Sequence, residues 1–341
     1  MPDSAILAGT GERRGAAVPM DPPAAMPPVR PDPELAALAA RLSPVHLRQR
    51  LNMEGAHGKA VFGYGRTFFH LENWYSIHAL IRGVLKLGGL YGRGLRNALA
   101  IAVTRHEARL PALPAAFDGL RVLQLSDLHL DASEAFVHAL AERVRGVEAD
   151  LTVLTGDFRY RTHGDWRPAL ERLERLRPQL PGEVYAILGN HDTVRMVPRI
   201  ESLGIRLLMN EHVTLTRADA RLHLAGIDDP HFFEAGNIER AADGIPAEDC
   251  AILLSHSPET WWQAAHAGFD LLLAGHTHGG QVCLPGGLPL MLNADCPRAY
   301  CRGPWRYRDM LGYTSTGAGS SIVGVRYNCP PEIVVHTLRR G

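Results

Sequence analysis

Arg121-Val-Leu-Gln-Leu125 runs without a break into Ser126-Asp127-Leu128-His129, and this passage decides how the rest of the chain is read. An apolar run of strand length ends in an Asp and a His spaced by one residue. The same form recurs four times. Leu151–Thr155 ends in Gly156-Asp157, and Glu183–Leu188 in Gly189-Asn190-His191-Asp192. Cys250–Leu254 ends in Ser255-His256, and Leu271–Ala274 in Gly275-His276-Thr277-His278-Gly279-Gly280. In open α/β sheets ligands sit in the crevice beyond the carboxyl ends of strands, so five such loops can set their Asp, Asn and His side chains around one point. Gly156, Gly189 and Gly275 allow tight turns where backbone crowds a metal. Helical patterns at 134–147, 165–177 and 194–202 separate the first strands, which predicts an α/β fold. Shorter strands are expected at 205–208, 212–216, 221–226, 281–284, 312–316, 322–326 and 332–338.

The side chains at these loops are two carboxylates, one amide oxygen and four imidazoles. Without thiolate this set suits Mn²⁺, Fe²⁺ or Zn²⁺ rather than Ca²⁺. Seven donors exceed the needs of one ion, whereas two ions about 3.5–4 Å apart that share a carboxylate use them well. Two divalent cations are therefore expected, with Mn²⁺ placed first.

The order D-x-H, G-D, G-N-H-D, H, G-H-T-H over residues 120 to 338 resembles the calcineurin-like metallophosphoesterases. The resemblance implies a four-layer αββα sandwich of two mixed β-sheets flanked by helices, with an N-terminal helical extension. It also implies that Asp127, His129, Asp157 and His278 hold a first metal. Asp157, Asn190, His256 and His276 would hold a second, with Asp157 bridging. His191 would protonate the leaving oxygen or stabilise the transition state, and Asp192 would orient it, while water attacks phosphorus in line. Protein Ser/Thr phosphatases of the superfamily carry GDxxDRG after the second motif. This chain has Gly156-Asp157-Phe158-Arg159-Tyr160-Arg161, which makes Arg159 and Arg161 candidates for binding substrate phosphate. Gly279-Gly280-Gln281 and Tyr327-Asn-Cys-Pro-Pro-Glu-Ile333 resemble one branch. That branch contains bacterial membrane-associated phosphodiesterases and the UDP-2,3-diacylglucosamine pyrophosphatases of lipid A synthesis. A soluble phosphodiesterase or phosphatase of broad specificity is the alternative activity, and a non-catalytic metal-binding scaffold the alternative of another class.

Working back to the N-terminus, residues 1–33 are rich in Pro, Ala and Gly without sustained periodicity, and are expected to form a disordered tail. Residues 34–110 read as a basic amphipathic helical extension before a metallophosphoesterase domain at 119–341. Trp74, Ile77, Ile81, Val84, Gly88, Tyr91, Leu95, Ala98 and Ala102 follow at steps of three and four, as on one face of a helix or a kinked pair. Arg82, Lys86 and Arg93 fall on another face. Between residues 41 and 110 eleven Lys or Arg stand against three Glu. Residues 73–103 are therefore expected to touch an anionic membrane, or else to pack on the catalytic domain through the same face.

Over the 341 residues Lys plus Arg and Asp plus Glu are 36 each, which argues against nucleic acid as the main partner; the resemblance implies instead a phosphorylated small-molecule or lipid-linked substrate. The 5 cysteines include no CxxC pair and suit a reducing compartment. Arg13-Arg14 is followed by no apolar run. The expected location is the cytoplasm, peripheral at the inner membrane. Cys283, Cys296 and Cys301 are read as ordinary thiols, Asp228-Asp229-Pro230 as a structural turn, and Trp261-Trp262 as core packing.

Overall fold

The computed structural model describes residues 33–57 and 74–341, so the expected tail, apart from Pro33, and the basic Lys59 and Arg66 lie outside the described residues. Four helices come first: α1 (Pro33–Leu42), α2 (Pro44–His57), α3 (Tyr75–Leu87) and α4 (Tyr91–Leu99). β1 (Ala102–Leu110), β2 (Arg121–Leu125), α5 (Glu134–Val144), β3 (Leu151–Thr155), α6 (Arg167–Leu176), β4 (Glu183–Ile187), α7 (Val197–Ser202) and β5 (Ile205–Leu207) follow. Next are β6 (Glu211–Arg217), β7 (Ala220–Gly226), α8 (Ile238–Ala242), β8 (Ala251–Leu254), α9 (Trp261–His266) and β9 (Leu271–Ala274). A small hairpin of β10 (Cys283–Leu284) and β11 (Leu288–Pro289) precedes β12 (Gly303–Tyr307), β13 (Met310–Thr314) and β14 (Glu332–Arg340).

Two six-stranded mixed sheets carry the fold, in the orders β1-β14-β2-β3-β4-β5 and β12-β13-β9-β8-β7-β6. β2 shows why they stack. Leu123 and Leu125 face a helix-covered core with Leu140 of α5 and Leu173 of α6, whereas Val122 faces a second core with Leu254, Leu271 and Leu273 of the other sheet. A strand buried on both faces reads as a continuous apolar run, as Arg121–Leu125 does. α8 and α9 cover the far side of the second sheet through Ala241 and Ala264. The expected αββα sandwich is thus present. Gln124 is the polar exception on the inner face. Its amide donates to Ala274 O (2.9 Å) and Thr155 Oγ1 (3.2 Å), and its Oε1 lies 2.9 Å from His336 Nε2, so a buried amide ties both sheets together near the metal-binding loops.

Three sequence expectations are corrected. The helical extension does not reach residue 110: Ala102–Leu110 is a strand, paired parallel with β14 from Ala102↔Glu332 to Leu110↔Arg340. Ala102 had continued the helical spacing, but a partner more than two hundred residues away sets its conformation. The strand expected at 322–326 is absent, because Ile322 (φ 61°) and Gly324 (φ 66°) turn the chain there. Of the β12–β13 hairpin only the second strand was foreseen, at 312–316; β12 was missed.

The bend expected near Gly88-Gly89 separates α3 from α4, with Gly89 at φ 68°. α4 docks on residues 325–327. A Cβ at Gly94 would sit 2.7 Å from Val325 Cβ and 2.8 Å from Tyr327 Cε2, so only glycine lets the helix approach. Asn97 Nδ2 donates to Arg326 O (2.9 Å) and Arg326 N–H to Gly94 O (3.1 Å). α3 keeps Leu80, Val84 and Leu87 exposed. No helix among the described residues is long and apolar enough to cross a membrane.

Candidate metal centre

Three of the five loops leave their strands through a backbone that ordinary side chains avoid. Asp127 (φ 54°), His129 (41°), Asp157 (60°), His276 (71°) and His278 (48°) are all left-handed. Such strain at non-glycine residues costs about 1–3 kcal/mol each and persists where surrounding structure demands it. Close approach explains the neighbouring glycines. A Cβ at Gly189 would fall on Asp157 Oδ1, and one at Gly275 on Ser126 Oγ and Asp127.

The tautomers can be read from the outer partners of the rings. His129 Nδ1 donates to Arg159 O (2.8 Å) and His256 Nδ1 to Thr155 O (2.7 Å), turning Nε2 of each inward. His276 is reversed, its Nε2 donating to Asn293 O (2.7 Å) and its Nδ1 facing in. The inward atoms then meet one another. His129 Nε2 lies 3.3 Å from His278 Nε2, which is 3.5 Å from Asp127 Oδ1. His256 Nε2 and His276 Nδ1 lie 2.9 and 3.0 Å from Asn190 Oδ1. Asp157 Oδ2 is 3.3 Å from His256 Nε2 and 3.8 Å from His129 Nε2. His129 Nε2, His276 Nδ1 and Asn190 Oδ1 bring lone pairs into this cluster, which a cation among them would satisfy, while His278 presents Nδ1 to Arg326 Nη2 (3.1 Å). With metal–ligand bonds of about 2.1 Å, ligand atoms sit roughly 3.0–3.4 Å apart in octahedral or tetrahedral sites. The residues therefore fit divalent metal.

All seven predicted ligands are brought together, and all are buried. Asp127, His129 and His278 form one potential metal cluster, and Asp127, Asp157 and His256 another. Burial raises Asp127 above the usual carboxylate range. For Asp157 burial acts in the same direction but is outweighed by His256, His191 and His129, which hold it well below that range. Burial works against a charged His256, yet adjacent Asp157 pushes it up to about 10. Burial depresses His129, His276 and His278.

His191 reaches the same centre. Its Nδ1 donates to Tyr160 O (2.6 Å) and its Nε2 lies 3.8 Å from Asp157 Oδ2. Asp192 is not what orients it. The Asp192 carboxylate accepts from the backbone N–H of Asp157 (2.8 Å), Phe158 (2.9 Å), Arg159 (3.3 Å) and Gly189 (2.9 Å), clipping two ligand loops together. Burial and the nearby charge of Asp157 raise it. Arg159 is likewise corrected. It is 4% exposed, and its guanidinium donates to the carbonyls of His191, Gly164 and Thr162, so it supports the loop from within. Arg161 is exposed beside the centre, at the rim of a cavity.

Several supports were not foreseen. Arg50 of α2, wholly buried, pairs with Asp228 (3.2 Å) and donates to Asp192 O (3.3 Å). Glu54, one turn on, accepts from Val194 N–H (2.8 Å) and from Thr193 Oγ1. Arg326, also wholly buried, donates to His278 O (3.2 Å) and Thr316 O (2.7 Å). Only the i,i+4 spacing of Arg50 and Glu54 was visible beforehand. Asp228-Asp229 is structural, as expected: Asp229 accepts from the N–H groups of Phe232 and Phe233 (2.7 Å each). Trp261 packs between Tyr300 and Tyr307, but Trp262 is 50% exposed.

The family model described as calcineurin-like phosphoesterase matches residues 120–280. The uncharacterized metallophosphoesterase YkuE of Bacillus subtilis is 30% identical over 283 residues, covering 76% of this chain and 94% of its own. YkoQ of the same organism, also an uncharacterized metallophosphoesterase, is 30% identical over 229 residues, covering 64% and 83%. The UDP-2,3-diacylglucosamine pyrophosphatase LpxG of Chlamydia muridarum is 25% identical over 303 residues, covering 69% and 88%. Five strand ends that bring Asp, Asn and His lone pairs together, in a chain matched along nearly the whole of YkuE, lead to one assignment: the chain belongs to the calcineurin-like phosphoesterase family, hydrolases of phosphoester bonds.

Proposed function

We propose that the protein cleaves a phosphodiester or pyrophosphate bond in a lipid-linked substrate such as UDP-2,3-diacylglucosamine, at the inner membrane surface. One observation carries the lipid part. A cavity of about 350 Å³, walled by Ile81, Leu85, Leu290, Met291, Ile322 and Val323, opens onto His191, His276 and His278. An apolar cavity leading to a phosphoesterase centre suits an acyl chain. Leu290 of its wall is 63% exposed and Leu87, two residues beyond Leu85, is 92% exposed, with Arg82, Lys86, Arg93 and Arg96 near Leu87 in sequence, a combination suited to an anionic lipid surface.

Asp127, His129, Asp157 and His278 would hold one divalent ion, Mn²⁺ before Fe²⁺ or Zn²⁺; Asp157, Asn190, His256 and His276 would hold the other. When bound, such ions polarise the phosphoryl oxygens and lower the pKa of water. The chain supplies the rest. Carbonyls at Arg159, Thr155 and Asn293 fix which nitrogen of each ring faces inward. His191, held by Tyr160 O, turns Nε2 toward the centre, where it would face the leaving oxygen. Asp192 keeps that loop in register with the loop of Asp157.

Purified protein with Mn²⁺ should release UMP from UDP-2,3-diacylglucosamine. Turnover confined to soluble nucleotides would remove the lipid claim and leave the soluble phosphodiesterase. The docking of α4 through Gly94 favours that second reading, in which the amphipathic segment merely packs.

A further inference from the structure

We propose that α3 is a partition that sorts the two ends of the substrate, Arg82 taking an anionic, phosphate-bearing head while Ile81 and Leu85 take the chain. This rests on the lipid-linked reading and adds the place and the residue that select the head.

The observation is a second, larger cavity that α3 also borders. It measures about 770 Å³ and reaches the centre at His129, and its wall includes Arg82, Tyr91, Tyr160, Arg161 and His163. Val323 lines both cavities, so they meet beside the metal-binding residues. Ile81 and Leu85, four residues apart, share one helix face, and Arg82 lies a hundred degrees around from Ile81. One helix thus presents an apolar wall to one cavity and a guanidinium to the other. Asp131 and Asp165 also line the larger cavity. Asp131 accepts from Tyr160 N–H (2.6 Å), and Asp165 from the backbone N–H (3.1 Å) and guanidinium (3.3 Å) of Arg167. Among the described residues no ion pair takes up Arg82. A planar guanidinium for phosphate oxygens, aromatic rings and acceptors for hydroxyls are what a nucleotide-like head requires. Leu95, Leu99 and Phe136 give this wall an apolar part as well, but the smaller cavity offers the head no arginine or lysine.

The test compares three substrates with Mn²⁺: a diacylated nucleoside-diphosphate sugar, its deacylated form, and bis(p-nitrophenyl) phosphate. Arg82→Ala should lower kcat/KM on both sugar substrates about tenfold more than on the aryl diester, chiefly through KM. Leu85→Gln should cost the diacylated substrate about tenfold more than the deacylated one. Equal effects of Arg82→Ala on all three substrates, or none, overturn the partition. Wild-type protein indifferent to acylation overturns the lipid-linked reading instead. The larger cavity then stands or falls on whether Arg82→Ala separates the deacylated sugar from the aryl diester.

Discussion

α2 and α3 both precede the first strand, and their sequences rank them in the wrong order. α3 has the strong amphipathic pattern, yet Leu87 is 92% exposed. α2, PVHLRQRLNMEGAH, has little pattern, yet its Arg50 is 0% exposed and grips the loop that carries His191 and Asp192. Amphipathicity measures how well a helix could cover an apolar surface. It is blind to a helix held by a few buried polar contacts, where one guanidinium between two carboxylates decides the position. Removal of residues 1–110 would therefore take away β1 and the Arg50 brace, not merely an appendage.

The contrast can be broken at several points. The largest effect belongs to the centre that α2 braces: His191→Ala should slow turnover about 10²- to 10⁴-fold with metal content unchanged. Unaltered function would instead point to a metal-binding scaffold. Next is Arg50→Met, which takes away the buried Asp228 carboxylate's guanidinium partner and leaves only the His46 side chain beside it (3.0 Å), and should cost about 3–5 kcal/mol in chemical denaturation. A loss below about 1 kcal/mol would place α2 with α3 as a mere neighbour of the domain.

The brace also has a pH signature. Burial alone would raise Asp228, but adjacent Arg50 and His46 hold it below the usual carboxylate value. Its ionised form therefore stabilises the fold above the unfolded carboxyl pKa of about 3.9, and this contribution is lost as pH falls through the lower folded value. The stability gap between wild type and Asp228→Asn should shrink as pH drops below about 4; a gap constant from pH 7 to 3 contradicts the pairing. The smallest effect is expected on α3. Leu87→Ser should change stability by no more than about 0.5 kcal/mol while reducing co-sedimentation with anionic vesicles. Vesicle binding that survives unchanged would detach α3 from the membrane.

Much of the centre was legible because each part is local. Gly156-Asp157 and Gly275-His276-Thr277-His278 each pair a strand end with a turn and donors within four residues, so seven ligands could be named without knowing where the loops meet. The outer supports were not. Arg50 lies 178 residues from Asp228, and Arg326 lies 48 residues from His278. Arg159, next to a motif and cationic, looked like a substrate ligand until the fold enclosed it among carbonyls. Asp192 sits beside His191 in sequence but turns to the backbone of the neighbouring loop.

From the order of residues alone came an α/β fold, the seven candidate metal ligands and the amphipathic stretch, since each rests on short-range periodicity or on donors carried by one turn, while the αββα arrangement and the candidate role of His191 came with the family resemblance. Tertiary structure alone decided that residues 102–110 form a sheet strand, that a patternless helix braces the centre, and that α3 lines two cavities. Pairing register, burial of a charge and the shape of empty space depend on which distant segments meet, and no local pattern records that.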